Sequence, residues 1–251
     1  MSKLKNKVAI VTGASKGIGA SIAKYFAAEG AKVVVNYASS KEDAEKVVKA
    51  IRDNGGNAIA VQGDVSKESD VTRLFEETKI AFGTLDILVN NAGIYQYAPI
   101  EEPLEESFHK QFNTNVLGSL FAIQASLKSF GEKGGNIINI SSGASNTPLP
   151  TGAVYSATKA ALDAITISLS KEFSGRNIRI NSILPGVVET EGSHSAGFIG
   201  SDFEAKLVAT TPLGRTGQPE DIAKVAVFIA SDDAGWITGE KISVSGGIYG
   251  I

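Results

Sequence analysis

The chain contains no cysteine, only two histidines and no long apolar run. The first absence excludes disulfides, thiolate nucleophiles and Cys-ligated zinc or iron–sulfur centres. His109 and His194 cannot by themselves build a histidine-rich site, so no metal is expected. A membrane span needs about 18–20 consecutive apolar residues, and no segment approaches that length. Charge of one sign is missing too: 24 Lys and Arg stand against 27 Asp and Glu, a net of −3, with no long like-charge run. That leaves no electrostatic footprint for nucleic acid. The amino terminus, MSKLKNKVAIVTG, enters an apolar strand without a signal peptide's longer apolar core or small-residue cleavage site. A cytoplasmic protein with neither membrane nor nucleic-acid partner is expected.

What is present suits a folded α/β chain. Of the 251 residues, 43% are hydrophobic and 20% charged, which argues against disorder. Short apolar runs recur at 8–11, 33–35, 58–61, 86–89, 137–140, 178–184 and 241–244. Their continuous rather than alternating character suits strands buried on both faces of a parallel sheet. Between them, residues 17–29, 41–54, 67–82 and 219–230 carry apolar side chains at helical spacing. Gly30, Gly55 and Gly83 fall where helices should end. The alternation predicts one doubly wound α/β domain over residues 1–251, a seven-stranded parallel sheet with helices on both faces. Segment 153–173 is apolar around most of its circumference, which predicts a helix buried on several sides and a second subunit against one of them. Residues 186–218 read as irregular, and 188–210 as a mobile substrate lid with Phe198, Ile199, Phe203 and Leu207 forming an apolar wall.

The first strand runs into Thr12-Gly-Ala-Ser-Lys-Gly-Ile-Gly19 and then into a helix. Glycines there allow a tight turn, close backbone approach to a diphosphate and an anion at the helix N-terminus. Taken alone, such a turn is a weak signal; the strand before it and the helix after it strengthen it. Tyr155 and Lys159 are four apart on a predicted helix and so share one face. In isolation that is an ordinary surface pair. A tyrosine titrates near 10, and a neighbouring ammonium moves it toward the neutral range useful for proton transfer.

Together, TGASKGIG at 12–19, NNAG at 90–93, Tyr155-Ser-Ala-Thr-Lys159 and Pro185-Gly186 resemble the short-chain dehydrogenase/reductase family, in order and spacing, over essentially the whole chain. The resemblance implies a single-domain Rossmann-type fold, a nicotinamide cofactor and a homotetramer. It assigns Tyr155 as proton donor to a carbonyl, and Lys159 to tune it and hold the nicotinamide ribose. Ser141 and Ser142 both end the fifth strand; Ser142, 13 residues before Tyr155, has the spacing the family favours for the hydroxyl that orients the substrate oxygen. Asn115 matches the family asparagine that helps hold a water linked to the lysine, with Asn113 as runner-up. The cofactor set comprises Gly13, Ser15, Lys16, Gly17, Ile18 and Gly19 in the loop, and Asn91, Ala92 and Gly93 after the fourth strand. Asp64 and Val65 are expected against the adenine, with Ser66 as the better cap for the following helix. Pro185, Gly186, Val188 and Thr190 resemble the segment touching the carboxamide.

NAD-selective sites usually end the second strand in a carboxylate. Here it ends in Asn36, followed by Tyr37, Ala38, Ser39 and Ser40 as further donors, and Lys16 is placed to attract a 2′-phosphate. NADP(H) is therefore expected, with NAD(H) the weaker alternative. The reading is a carbonyl reductase or alcohol dehydrogenase acting on a small ketone or secondary alcohol. A 3-oxoacyl carrier-protein reductase, for which Arg176 and Lys133 offer weak cationic contacts, and a glucose 1-dehydrogenase-like enzyme are alternatives within the class. A non-catalytic dinucleotide sensor is the alternative outside it. Both histidines read as solvated surface residues.

Overall fold

The computed structural model describes residues 2–248. Seven strands form: β1 (Val8–Val11), β2 (Lys32–Tyr37), β3 (Asn57–Gln62), β4 (Ile87–Asn90), β5 (Gly135–Ile140), β6 (Ile178–Pro185) and β7 (Lys241–Val244). They make one sheet in the order β3-β2-β1-β4-β5-β6-β7, and every neighbouring pair is parallel. Parallel neighbours need crossover connections, and the helices are those connections. They are α1 (Gly17–Ala28), α2 (Lys41–Asp53), α3 (Glu68–Phe82), α4 (Glu105–Phe112), α5 (Gly118–Ser129) and α6 (Ala153–Glu172). The last three are α7 (Glu191–Ser195), α8 (Asp202–Thr210) and α9 (Pro219–Ala230).

Successive strand residues face opposite sides, which divides the core in two. Ala9 and Val11 of β1 join Ile22 and Phe26 of α1, Val47 and Ile51 of α2 and Ile222 and Ile229 of α9. Val8 and Ile10 join Leu74 and Phe75 of α3 and Ile123 of α5. The helices end where expected: Gly30, Gly55 and Gly83 all have positive φ, a backbone state that glycine enters without a Cβ clash.

β1 and β4 are neighbours, with Val11 beside Val89, and the chain winds away from them in opposite directions. The crevice beyond their carboxyl ends is where open α/β sheets bind ligands.

Three details differ from the sequence expectation. The 186–218 stretch is not wholly irregular but contains α7 and α8. Both have side-chain caps: Thr190 Oγ1 accepts from the Ser193 N–H, and Ser201 Oγ accepts from the Glu204 N–H. Ser66 does not cap α3, which starts at Glu68 behind Lys67; its hydroxyl and N–H both donate to Asp64 Oδ1 instead. The buried face of α6 is largely polar, with Leu162 the one aliphatic side chain among Ser156, Thr158, Lys159, Asp163, Thr166 and Ser170. Short hydroxyls let this helix lie close to the sheet: Thr166 Oγ1 accepts from Asn139 Nδ2 at 2.8 Å and pairs with Ser182 Oγ at 2.8 Å.

Candidate active site

The glycine loop is held from below. The Gly13 N–H donates to Asn36 Oδ1 at 3.2 Å, and Asn36 Nδ2 donates to the carbonyls of Val61 and Gly63 at 3.3 and 3.0 Å. From the other side, Asn91 Nδ2 donates to the carbonyls of Thr12 and Gly13 at 2.9 and 3.0 Å. Gly13 has φ +59°, and a Cβ there would meet Ala92 Cα at 2.8 Å, so no larger residue fits this turn. The loop opens α1 at Gly17, and the preceding Lys16 supplies no side-chain cap. N–H groups at a helix start that lack a cap from the residue before them, facing a cleft of about 370 Å³, form an anion seat, whose Gly17 N–H donates to the Glu191 carboxylate. A nucleotide diphosphate fits that donor set.

Ala38, Ser39, Ser40, Asp64 and Val65 line the outer end of this cleft. Tyr37 does not; its ring is buried in the core beside α1 and α2. Asn36 borders the cleft but is 1% exposed, so its amide serves the loop rather than a ligand. Lys16 Nζ lies 2.9 Å from Asp43 Oδ2 on α2. The cation expected to attract a 2′-phosphate is thus paired with a carboxylate, brought to it by the helix rather than by the strand.

A second cleft of about 580 Å³ continues the first, sharing Ile18, Asn91, Gly93, Ile94 and Thr190 with it. It holds Ser142, Tyr155, Lys159, Pro185, Gly186 and Val188. With these, every residue expected at the cofactor except Tyr37 borders one cleft or the other. Lys159 Nζ donates to the Ile140 carbonyl at 2.8 Å and lies 5.8 Å from the centre of the Tyr155 ring. Its burial pulls the ammonium from 10.5 down to about 8, against an opposing upward pull from Asp163 one turn further along α6. Ser142 faces the cleft and its Oγ accepts from the Ala144 N–H at 3.1 Å, while Ser141 Oγ turns inward to the Lys159 carbonyl at 3.3 Å. Both serines border this cleft, and of the two hydroxyls it is that of Ser141 that is committed to a backbone carbonyl.

Asn115 sits behind this cleft in a π-helical turn, Asn113–Leu117, between α4 and α5. Its Oδ1 accepts from the Ile94 N–H and its Nδ2 donates to the Ile94 carbonyl, both at 2.8 Å, and to Thr158 Oγ1 at 3.0 Å. It therefore ties the loop after β4, which carries Gly93, to α6, which carries Tyr155. A Cβ on Gly93 would lie 3.4 Å from Asn115 Oδ1 and 3.5 Å from Lys159 Nζ, which brings all three groups into one small volume.

The outer wall of this cleft is aromatic. Tyr95, Tyr97, Leu149, Phe198 and Phe203 line it, and Ile199 and Leu207, expected there, do not. Tyr95 and Tyr97 stand 6.1 and 5.8 Å from Tyr155, ring centre to ring centre, and burial raises the Tyr95 phenol above its usual range. Neither tyrosine was singled out from the sequence, although both lie within four residues of NNAG, where a strand end delivers its next residues into the crevice. His194 hydrogen-bonds Glu189 Oε1 at 2.9 Å and His109 is exposed on α4, both outside the cleft. Arg176 donates to the Leu127 carbonyl, far from this cleft in the fold. No helix among the described residues is long and apolar enough to cross a membrane.

A parallel sheet with this strand order, a glycine loop at its switch point and a Tyr/Lys pair beside it define a dinucleotide-type oxidoreductase. The chain belongs to the short-chain dehydrogenase/reductase family, whose members use nicotinamide cofactors: residues 13–249 match the family model described as enoyl-(acyl carrier protein) reductase. It is 58% identical to an uncharacterized oxidoreductase of Methylorubrum extorquens, over 99% of this chain and 100% of that one. It is 40% identical to a versicolorin reductase of Emericella nidulans, over 98% and 97% of the two chains. Among solved structures, it is similar to an angucycline C-6 ketoreductase with bound NADP, at 36% identity and a TM-score of 0.92, covering 98% of this chain and 97% of that one.

Proposed function

We propose that the protein is an NADP(H)-dependent ketoreductase acting on a ketone carried by an apolar, aryl-sized molecule. One observation carries the reading: Ser142, Tyr155 and Lys159 meet at the inner end of a continuous groove, under an aromatic wall, with the anion seat at its other end. The nicotinamide supplies the hydride when bound. The protein's part is to orient the carbonyl through Ser142, to deliver a proton to its oxygen from Tyr155, and to keep positive charge beside that phenol through Lys159. Buried and close to the ring, the Lys159 ammonium favours phenolate more strongly than it would in water. Thr190 and Ile18, common to both clefts, are placed to hold the reacting ring between seat and substrate.

The aromatic wall supports an apolar substrate over a polyhydroxy one, since it offers a sugar few hydrogen-bond partners. Relatives named for versicolorin and angucycline ketoreduction support the same class. The chain is also proposed to work as a homotetramer in the cytoplasm. Supporting the assembly, Ala153, Ala157, Ala160, Ala164 and Ile167 form an exposed small apolar stripe along α6. The terminal GGIYGI, a further expected interface element, lies outside the described residues from residue 249 onward.

The test is NADPH consumption with a panel of aryl ketones, a 3-oxoacyl thioester and a keto sugar, run beside Tyr155→Phe. Aryl ketones are expected to turn over best. The variant should lose about 10²–10⁴-fold in rate while binding NADPH as before. Turnover by folded Tyr155→Phe at the normal rate removes the tyrosine from its role. Absence of turnover with every ketone removes the reductase reading.

A further inference from the structure

Glu191, the first residue of α7, holds its Oε2 3.0 Å from the backbone N–H of Gly17, which donates to it. Gly17 is the first residue of α1, at the positive end of that helix and within the anion seat. A carboxylate of the protein therefore stands on a donor that a diphosphate would use.

The backbone on both sides of this contact is fixed. At the start of α7 the Ser193 N–H donates to Thr190 Oγ1 at 3.1 Å, and the Thr190 N–H donates to Ser193 Oγ at 2.8 Å. Thr190 also packs against the loop so closely that a Cβ on Gly17 would lie 3.2 Å from its Cγ2. The next acid along the chain does not share the position: Glu189 is held by His194 and Gln218, each at 2.9 Å. Nor is Glu191 needed to cap α7, because Thr190 and Ser193 already do so.

We propose that Glu191 is an internal competitor for the diphosphate seat, and that it sets the affinity of the protein for both nicotinamide dinucleotides. This rests on the dinucleotide reading above. The Glu191–Gly17 bond and a diphosphate on the Gly17 N–H are mutually exclusive, because one N–H serves one close acceptor. A diphosphate brings more charge and more acceptor oxygens than a single carboxylate, so it prevails. It does so only after breaking the internal bond and turning a like charge away. The cost falls equally on NADPH and NADH, since the diphosphate is common to both.

Calorimetric titration of the full-length protein with NADPH and, separately, NADH tests this without turnover. Glu191→Ala is expected to tighten both by the same factor, about three- to tenfold. Glu191→Gln keeps the shape, loses the charge and should move in the same direction by less. Glu189→Gln removes a charge nearby but off the seat and should stay within about twofold of the wild type. Unchanged or weaker binding by Glu191→Ala, with wild-type binding intact, overturns the inference alone. An equal gain from Glu189→Gln also overturns it, since general charge would then suffice. No binding of either dinucleotide to the wild type overturns the dinucleotide reading and this inference together.

Discussion

Lys16 Nζ and Asp43 Oδ2 lie 2.9 Å apart, joining the glycine loop to the first turn of α2. Lys16 is the expected partner of a 2′-phosphate, so the pair is a local contest over one cation. Both groups are solvent-facing, and such pairs are weak enough for a phosphate to displace. Lys16→Ala should therefore cut kcat/KM with NADPH far more than with NADH. Asp43→Asn should shift the ratio the other way, toward NADPH, by about threefold. Equal changes for the two cofactors would show that neither residue reads the phosphate.

Lys159 predicts a divergence between stability and activity. Its ammonium titrates near 8 when folded and near 10.5 when exposed, so folding releases a proton between those values. Where the unfolded chain binds more protons, stability rises with pH, so this group's penalty is full below about 8 and relieved toward 10.5. Replacing a buried charge by an apolar side chain of similar length removes the penalty. Lys159→Met should be inactive yet more stable at pH 7 by about 1–3 kcal/mol. Denaturant titrations at pH 7 and 10 should show the gap between variant and wild type narrowing. A less stable variant with the wild-type pH slope would refute this.

The aromatic wall should govern which ketone is used. Tyr97→Ala, Phe198→Ala and Phe203→Ala are expected to reorder kcat/KM among ketones by about two- to tenfold, the value of a lost ring contact. NADPH affinity should change little, because these side chains lie away from the diphosphate seat. An unchanged ranking, with hydrogen exchange over 188–210 equal with and without ligand, would remove the wall and lid assignment.

Sedimentation should return a tetramer at micromolar concentration, and Ile167→Asp on the exposed stripe of α6 should dissociate it. An active monomer in the wild type ends the assembly proposal.

The fold was legible because burial on both faces leaves unbroken apolar runs: Val33 to Val35 and Ile87 to Val89 could be little else. Tyr155 and Lys159 were legible because one helical turn separates them in sequence as in space. What escaped were relationships between distant segments. Asp43 meets Lys16, and Glu191 meets Gly17, only through tertiary packing, and neither carboxylate carries a local signal. The α8 start was missed although Ser201-x-x-Glu204 has the spacing of a cap. Ser66 misled because a hydroxyl before a helix suits the cap, but α3 begins behind Lys67, one residue too late for it, and the Ser66 hydroxyl donates to Asp64 instead.

Asn36 narrows the ways in which this scaffold could change its cofactor. Its amide is anchored inward at three points, to Gly13, Val61 and Gly63. An aspartate at 36 would keep the acceptor for Gly13 but aim its other oxygen at two carbonyls, trading a donor for repulsion. The strand-end carboxylate that marks NAD selectivity elsewhere cannot be introduced by that single exchange without loosening the loop it was meant to serve. Under the proposed preference for NADP(H), a change toward NAD would have to proceed through residues 38–40 and the face of α2 that carries Asp43, because the inner end of β2 is already committed to holding the loop.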